Sequence, residues 1–535
     1  MRPALQRLRA LGDPHRYDGG ALEHAVARAR LPLDRRWYAK AGALDALREL
    51  GTSVAAAAPA ATGPRVVVSS LRAWSTHAAY ESVIALALQM RGARVALLTC
   101  GGGQPICEMG WARRAHPRPC DRCSWFTGEL AAGIGLEHVR LADHLPWGAD
   151  ARQAPLTLDA ARGRDLSAAW FARSSKPERA PEGVAVVRDF GVSTAGVQAA
   201  IEPILDRLRP QILFSLNGLF DAERAIRAAA SVRGVRVPTY EMAARDGALV
   251  FGQRSDAPDM DTTVVWERIR DRPLTAEQRA AIEHLLADRV RGVGREVYFD
   301  AVDADLAIPP GAQVVTAFTN LSWDSSLMHK DVAYPSMFDW LAAMVRSVEG
   351  RPDVVLVVRV HPGETRWGTR EAAADELRAR VGATLPANVR VVGPSDPTDS
   401  YALVDRSDLV CVYASTVGLE AATRGVAVAV AGDTHYRGRG FTHDVSRHDE
   451  LAALLAAPPG RLDPATVDLA HRYAFTFFFR TMIPFGLVAT DGPQVTRVPA
   501  RAEQLAPGAD PYLDLLCDRI LDGEELIVPD ALALA

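Results

Sequence analysis

Short apolar runs rich in Val, Leu and Ala recur along the chain, each closed by a polar or glycine-bearing turn. They lie at residues 65–68, 94–98, 211–215, 236–240, 313–317, 354–360, 389–392, 409–413 and 426–430. Most lack the in–out alternation of a half-buried strand, and continuous runs of this length read as strands covered on both faces. The stretches between them carry helical patterns. Thr275-Ala276-Glu277-Gln278 fits a capping box and starts a helix that runs to about residue 292. Arg91-Gly92-Ala93 fits a helix C-cap just before a strand. Strand and helix in alternation predict parallel sheets with helical crossovers.

Two breaks divide this series. Residues 53–64, SVAAAAPAATGP, form a low-complexity linker, and Pro309-Pro310-Gly311 is a second boundary. The expected architecture is therefore α/β, with two Rossmann-like doubly wound domains facing a cleft and helical appendages at both ends. The expected divisions are 1–63 (a helical segment with patterns at 3–11 and 21–50, then the linker), 64–308, 309–460 and 461–535. In the last, residues 464–487 include HRYAFTFFFRTMIPF, which reads as a helix packing at the domain junction, since aromatics carry large buried area. A further helix is expected near 511–521.

Composition narrows the picture. At 535 residues and 48% hydrophobic content, the chain can bury more than one core. A net charge of −4 without blocks of like charge excludes a nucleic-acid binder held by electrostatics. No run of apolar residues reaches the roughly 18–20 a membrane helix needs, and no signal core follows the N-terminal arginines. A cytoplasmic protein without a transmembrane segment is expected, with peripheral membrane association left open. Four of the six cysteines, Cys100, Cys107, Cys120 and Cys123, lie close together, and the last two form a C-x2-C pair. That spacing suits a structural zinc or an iron–sulfur cluster, and free thiols packed in a loop are the alternative.

Open α/β sheets bind ligands at the carboxyl ends of their strands. In the first domain those ends bring Asn217-Gly218 and Glu241, with Asp246 nearby, which makes them candidates for the acceptor side and for proton transfer. In the second they bring Asn320, Arg359, His361-Pro362 and Ser415-Thr416, followed by Gly418 and Glu420. Hydroxyls, an imidazole, a guanidinium and helix N-terminal amides are all donors for a phosphate. Such donors stabilise a leaving phosphate more as its charge grows. The loop at 432–444, with Tyr436, reads as a donor-closing loop. No Walker-type loop, G-x-S-x-G elbow or H-E-x-x-H motif is present.

The ordered set VVRVHPGE (357–364), STVGLEAA (415–422) and GDTHYRGRGFTHD (432–444) resembles bacterial capsule-polysaccharide glycosyltransferases of the Kdo-transferase type. The resemblance covers roughly residues 310–450 and includes FTN (318–320) and Trp323-Asp324. It implies a GT-B fold and metal-independent transfer, with no cofactor required. It further implies that His361-Pro362 and Ser415-Thr416 bind the CMP of a CMP-sugar, and that the partners are a nucleotide-sugar donor and a glycan or small-molecule acceptor in surface polysaccharide synthesis. Relatives place an acidic base near a glycine in the first domain, for which Glu241 and Asp246-Gly247 both stand as candidates. A nucleotide-sugar 2-epimerase, a polyol-phosphate transferase using a CDP-linked donor, and a nucleotide-sugar-binding scaffold are the other readings.

Overall fold

The computed structural model describes residues 21–111, 119–145, 155–175, 181–293, 306, 308–324, 327–367 and 369–534. The helical pattern expected at 3–11 lies outside these residues. The pattern at 21–50 is two helices, Ala21–Ala41 and Leu44–Ala57.

Two sheets organise the chain. The first contains β1 (Arg65–Ser69), β2 (Arg94–Thr99), β5 (Glu137–Arg140), β6 (Ile212–Leu216), β7 (Thr239–Met242) and β8 (Ala248–Gly252), with β15 (Met482–Pro484) at one edge. Its order is β15-β8-β7-β6-β1-β2-β5. A two-residue hairpin, β3 (Ile106–Cys107) with β4 (Gly110–Trp111), stands apart from it. The second sheet contains β9 (Gln313–Phe318), β10 (Val354–Arg359), β11 (Val389–Val392), β12 (Leu409–Val412), β13 (Ala427–Val430) and β14 (His443–Asp444). Its order is β11-β10-β9-β12-β13-β14, and every pair is parallel. β9, β10, β12 and β13 are buried along nearly their whole length, which is why their sequences read as unbroken apolar runs.

Each sheet reverses its winding at one place. In the first it is between β1 and β6, and in the second between β9 and β12. Crossovers leave such a point on opposite faces, so the strand ends there open a crevice. The two-domain doubly wound arrangement is that of the GT-B fold.

The expected series of parallel strands needs one correction. β8 runs antiparallel to β7, and β15 antiparallel to β8. The run expected as one helix over 464–487 is a helix, Pro464–Phe475, then one π-helical turn, Thr476–Arg480, and then β15. This strand returns the chain from the second sheet to the first. The last long helix, Pro511–Asp522, also sits on the first domain, where Arg236 donates to the carbonyls of Ile520 and Leu521 at 3.1 and 2.6 Å. A helical period cannot reveal a three-residue edge strand, because its pairing partner lies more than 200 residues away. Among the described residues one helical stretch, Val184–Leu208, is long and apolar enough to cross a bilayer by length and composition, and half of it is buried in the protein.

A buried ionic cluster braces the carboxyl edge of the first sheet. Arg72, in the loop after β1, donates to Glu108 at 2.8 Å and to Glu223 at 3.0 Å, and Asp221 lies 3.9 Å away. All four side chains are buried. Burial first, then the charge of Glu108, pushes the Asp221 carboxyl well up, and Glu108 and Glu223 are the two carboxylates that the guanidinium bonds directly. Arg72→Met would strand both carboxylates without a cation. Loss of one partner from a buried ionic set costs about 3–5 kcal/mol. Urea unfolding should show that loss with an unchanged dependence on denaturant, and a change under about 1 kcal/mol would contradict the role given to Arg72.

Candidate functional site

The crevice at the β9/β12 reversal opens into a cleft of about 320 Å³ between the two domains. Three of its walls come from strand ends. β9 delivers Thr319 and Asn320, β10 delivers Arg359, His361 and Pro362, and β12 delivers Ala414, Ser415 and Thr416. The first domain closes the cleft with Pro258, Asp259, Met260 and Arg289.

Backbone contacts hold the strand ends in place. The His361 N–H donates to Thr319 Oγ1 at 2.9 Å, and the Ala414 N–H donates to Asn320 Oδ1 at 3.3 Å. Gly363 N–H donates to His361 Nδ1 at 3.0 Å. A neutral imidazole that accepts at Nδ1 carries its proton on Nε2, so His361 presents an N–H donor from its other nitrogen. Arg359 is buried, and donates to Gly393 O at 2.7 Å and to Ser400 Oγ at 3.2 Å.

The turn Ser415-Thr416 differs from an ordinary helix cap. Thr416 occupies the N-cap of helix Val417–Thr423 but makes no side-chain capping bond, and among the described residues Ser415 Oγ meets the Val417 N–H alone, at a long 3.4 Å. Both residues line the cleft. At seven residues this helix has a small dipole, so hydroxyls and amides rather than the macrodipole are what the turn offers an anion.

Gly418 and Tyr436 do not line the cleft; they hold the turn from behind. The Tyr436 hydroxyl donates to Ser415 O at 2.6 Å, and a Cβ at Gly418 would lie 2.3 Å from that hydroxyl oxygen. The loop that carries Tyr436, expected to close over a donor, is stitched to itself. Gly438 N–H and Thr442 Oγ1 donate to the two Asp444 carboxylate oxygens at 2.7 and 2.8 Å. Its G-F-T-x-D ending is thus a closure within the loop.

Glu420 lines the cleft but is already engaged. Arg289 Nε donates to it at 2.8 Å and the Tyr401 hydroxyl at 2.5 Å. Arg289 also donates to Ala244 O at 2.9 Å and stacks over Phe478. One guanidinium therefore joins helix Ala276–Val290, the β7–β8 turn and the second domain. Glu420, a donor-side candidate by sequence, instead anchors this junction.

On the first domain, Asn217 Nδ2 donates to Glu241 Oε2 at 3.2 Å, and the Met242 N–H donates to Glu241 Oε1 at 2.9 Å. Burial, opposed by these bonds and helped by the charge of Asp324, pushes the Glu241 carboxyl up to about 7. Neither Glu241 nor Asn217 lines the cleft itself; the charge of Asp324, which does line it, reaches Glu241. Gly218 is close-packed, with a Cβ there falling 2.6 Å from Asp256 Oδ1. Asp246 lies exposed in the β7–β8 turn, among the residues of a different pocket that holds Arg245, His284 and Phe479. It is not part of the cleft.

Lys330 and His435 also line the cleft, and sequence patterns did not single them out. Lys330 Nζ contacts Asp259 Oδ1 of the first domain at 3.1 Å. The Tyr473 hydroxyl donates to His435 O at 2.5 Å, so the 3.0 Å contact between that hydroxyl and His435 Nδ1 is a bond donated by the ring. Nε2 is then an acceptor, buried and without a partner among the described residues. Burial, with Lys330 and Arg439 nearby, pushes His435 down to about 3 and keeps it neutral. The scarcity of lysine was the one available signal for Lys330; His435 left none, because its partners come from 38 residues downstream.

The four clustered cysteines converge as well. All four are half-buried and line one cavity of about 30 Å³ with Arg72, Gln104 and Met109. As they stand they do not form a closed ligand set: among the described residues no group of three or more His, Cys, Asp or Glu side chains is set to hold a metal ion.

The ionisation of Glu241 has a consequence for stability. Its folded pKa is raised, so its contribution is fully present below about 4.5 and is lost as pH rises to about 7. The unfolding free energy of the wild type relative to Glu241→Gln should fall across that window and level off above it. A difference that stays flat from pH 4 to 8 would contradict the burial assigned to this carboxyl.

Residues 270–471 match the family model described as "Capsule polysaccharide biosynthesis protein". No curated protein matches the chain. Among solved structures, it is similar to the β-Kdo 2,4-transferase of Thermosulfurimonas dismutans KpsC, with 17% identity over 49% of this chain and 79% of the other and a TM-score of 0.35. The β-Kdo 2,7-transferase of the same protein shares 15% identity over 59% and 88%, with a TM-score of 0.33. The UDP-GlcNAc 2-epimerase of Neisseria meningitidis, bound to UDP-GlcNAc, shares 11% over 76% and 93%, with a TM-score of 0.23. Likenesses at this level carry no argument of their own. The family match spans β9 to β14 and reaches into helix Pro464–Phe475, the region that builds the second-domain side of the cleft.

Proposed function

We propose that the chain is a glycosyltransferase of surface-polysaccharide synthesis, moving a sugar from a nucleotide-activated donor, a CMP-sugar by preference, to a hydroxyl acceptor. One observation carries the reading. Donor groups from three adjacent strand ends converge on one cleft, and the charge of Asp324 in its lining reaches Glu241, a first-domain carboxyl whose pKa of about 7 suits a general base.

In this reading the donor phosphate lies against the Nε2–H of His361, the hydroxyls of Ser415 and Thr416, and the Arg359 edge of the cleft. Lys330, once released from Asp259, adds a mobile positive charge. The acceptor hydroxyl lies at Glu241, which Asn217 orients. Glu241 takes the hydroxyl proton as the oxygen bonds to the anomeric carbon. The bond from that carbon to the phosphate oxygen breaks, and the nucleotide leaves with the electron pair. Fixed donors then gain strength as the phosphate gains charge, and that difference lowers the barrier. The cleft supplies its own cationic and N–H groups for this charge, so transfer is expected without a divalent cation. Nucleotide-sugars are cytoplasmic metabolites, which places the reaction on that side of the membrane.

Binding and turnover test the proposal separately. CMP should raise the melting temperature, while UDP and GDP should not; no stabilisation by any nucleotide would remove the donor site. Glu241→Gln should lower kcat by roughly 10²–10⁴-fold with donor KM little changed, and should abolish the rise in rate through pH 7. EDTA should leave transfer intact. Turnover of UDP-GlcNAc alone, without acceptor, would replace transfer by epimerisation.

A further inference from the structure

We infer that Cys100, Cys107, Cys120 and Cys123 form a structural site for one zinc ion at the carboxyl edge of the first sheet, independent of the transfer reaction. Four separate features of the local structure converge on it.

The first is placement. Cys100 follows β2, Cys107 lies on the β3–β4 hairpin, and Cys120 and Cys123 occupy the first turns of helix Pro119–Ile134. Residues three apart share a helix face, so the C-x2-C pair points one way. Gly101, Gly102 and Gly103 all take positive φ, between 72° and 94°, and this folds the loop onto the helix start. A Cβ at Gly102 would lie 3.4 Å from Cys120 Cβ, which fixes how closely the loop and the helix approach. Ser193 clamps the hairpin by donating to Ile106 O at 2.7 Å.

The second is the void itself. It measures about 30 Å³, which admits one ion or a water. Binding an ion there requires the sulfurs to close in on it, since as placed they do not form a ligand set.

The third is charge. Four thiolates around Zn²⁺ carry a net charge of −2, and a buried charge must be offset. The start of a sixteen-residue helix lies at Cys120 and Cys123, where the helix dipole favours negative charge. The fourth is a hydrogen bond: the Ala73 N–H donates to Cys123 Sγ at 3.3 Å. A backbone N–H aimed at sulfur is the kind of outer contact that orients a metal ligand.

The site would tie three segments to the loop that holds Arg72 and Ala73, next to the acceptor side. Its role is structural, since four sulfur ligands leave no open position for a reacting group.

The experiment is metal analysis of the full chain purified without chelators. About one zinc per chain is expected. The paired substitutions Cys120→Ser/Cys123→Ser and Cys100→Ser/Cys107→Ser should each reduce it at least tenfold, while Cys411→Ser, far away on β12, should retain it. Should the paired variants fail to fold, the wild type decides: a strong chelator should lower its melting temperature, and zinc chloride alone should restore it. The inference is overturned by a chain that holds no zinc even after incubation with zinc chloride, by zinc retained in both paired variants, or by iron with acid-labile sulfide in zinc's place.

Discussion

Parallel pairing is the constraint on which the rest of this structure depends. When every strand of a sheet runs the same way, every carboxyl end falls on one edge and every crossover helix lies on a face. In the second sheet all five pairings are parallel, so Thr319, Arg359, His361, Ser415 and Thr416 share an edge although 97 residues separate the first from the last. The reversal between β9 and β12 then parts the helices above that edge and leaves the space in which these side chains meet. The chemistry of the cleft is a consequence of topology first and residue type second.

Two ionic arrangements bear on how that edge is kept in place. The Arg289–Glu420 pair, with the Tyr401 hydroxyl on the same carboxylate, couples helix Ala276–Val290 to helix Val417–Thr423 behind the Ser415-Thr416 turn. Both charges are buried, and each satisfies the other's need for a partner. Arg72, with Glu108 and Glu223, braces the corresponding loop in the first domain. In both cases an arginine fork joins segments far apart in the chain, which suits its planar, multiply donating head group. The π-helical turn and β15 add a third tie by carrying the chain back to the first sheet. The two domains are thus joined across the cleft by the Arg289–Glu420 pair and by the chain that returns to the first sheet through β15.

The two histidines of the cleft show how neighbours assign chemical roles. His361 accepts at Nδ1 and so offers a proton at Nε2; His435 donates at Nδ1 and so offers a lone pair. The residue type is the same, and only the hydrogen bond on the far side of the ring differs. Glu241 is a comparable case, since burial and Asp324 lift a carboxyl that would otherwise be fully ionised into the neutral range.

The local code carried much of this protein. Apolar runs at 313–317, 354–360, 409–413 and 426–430 became buried strands because a strand covered on both faces needs no polar positions. Polar residues directly after those runs had to reach the carboxyl edge, so His361, Arg359, Asn320, Ser415 and Thr416 were legible as a set. Their spatial order also followed from alternation. What the local code could not carry was any partnership across long separations. Glu420 looked available until Arg289, 131 residues earlier, was found on it. Tyr436 and Gly418 looked like ligand contacts and are a packed pair behind the turn. Asp246 and Glu241 were both candidates by sequence, and the β7–β8 pairing holds Glu241 on a strand and leaves Asp246 in the exposed turn beyond it. Periodicity reports which side of a segment is buried; tertiary contact alone decides what it is buried against.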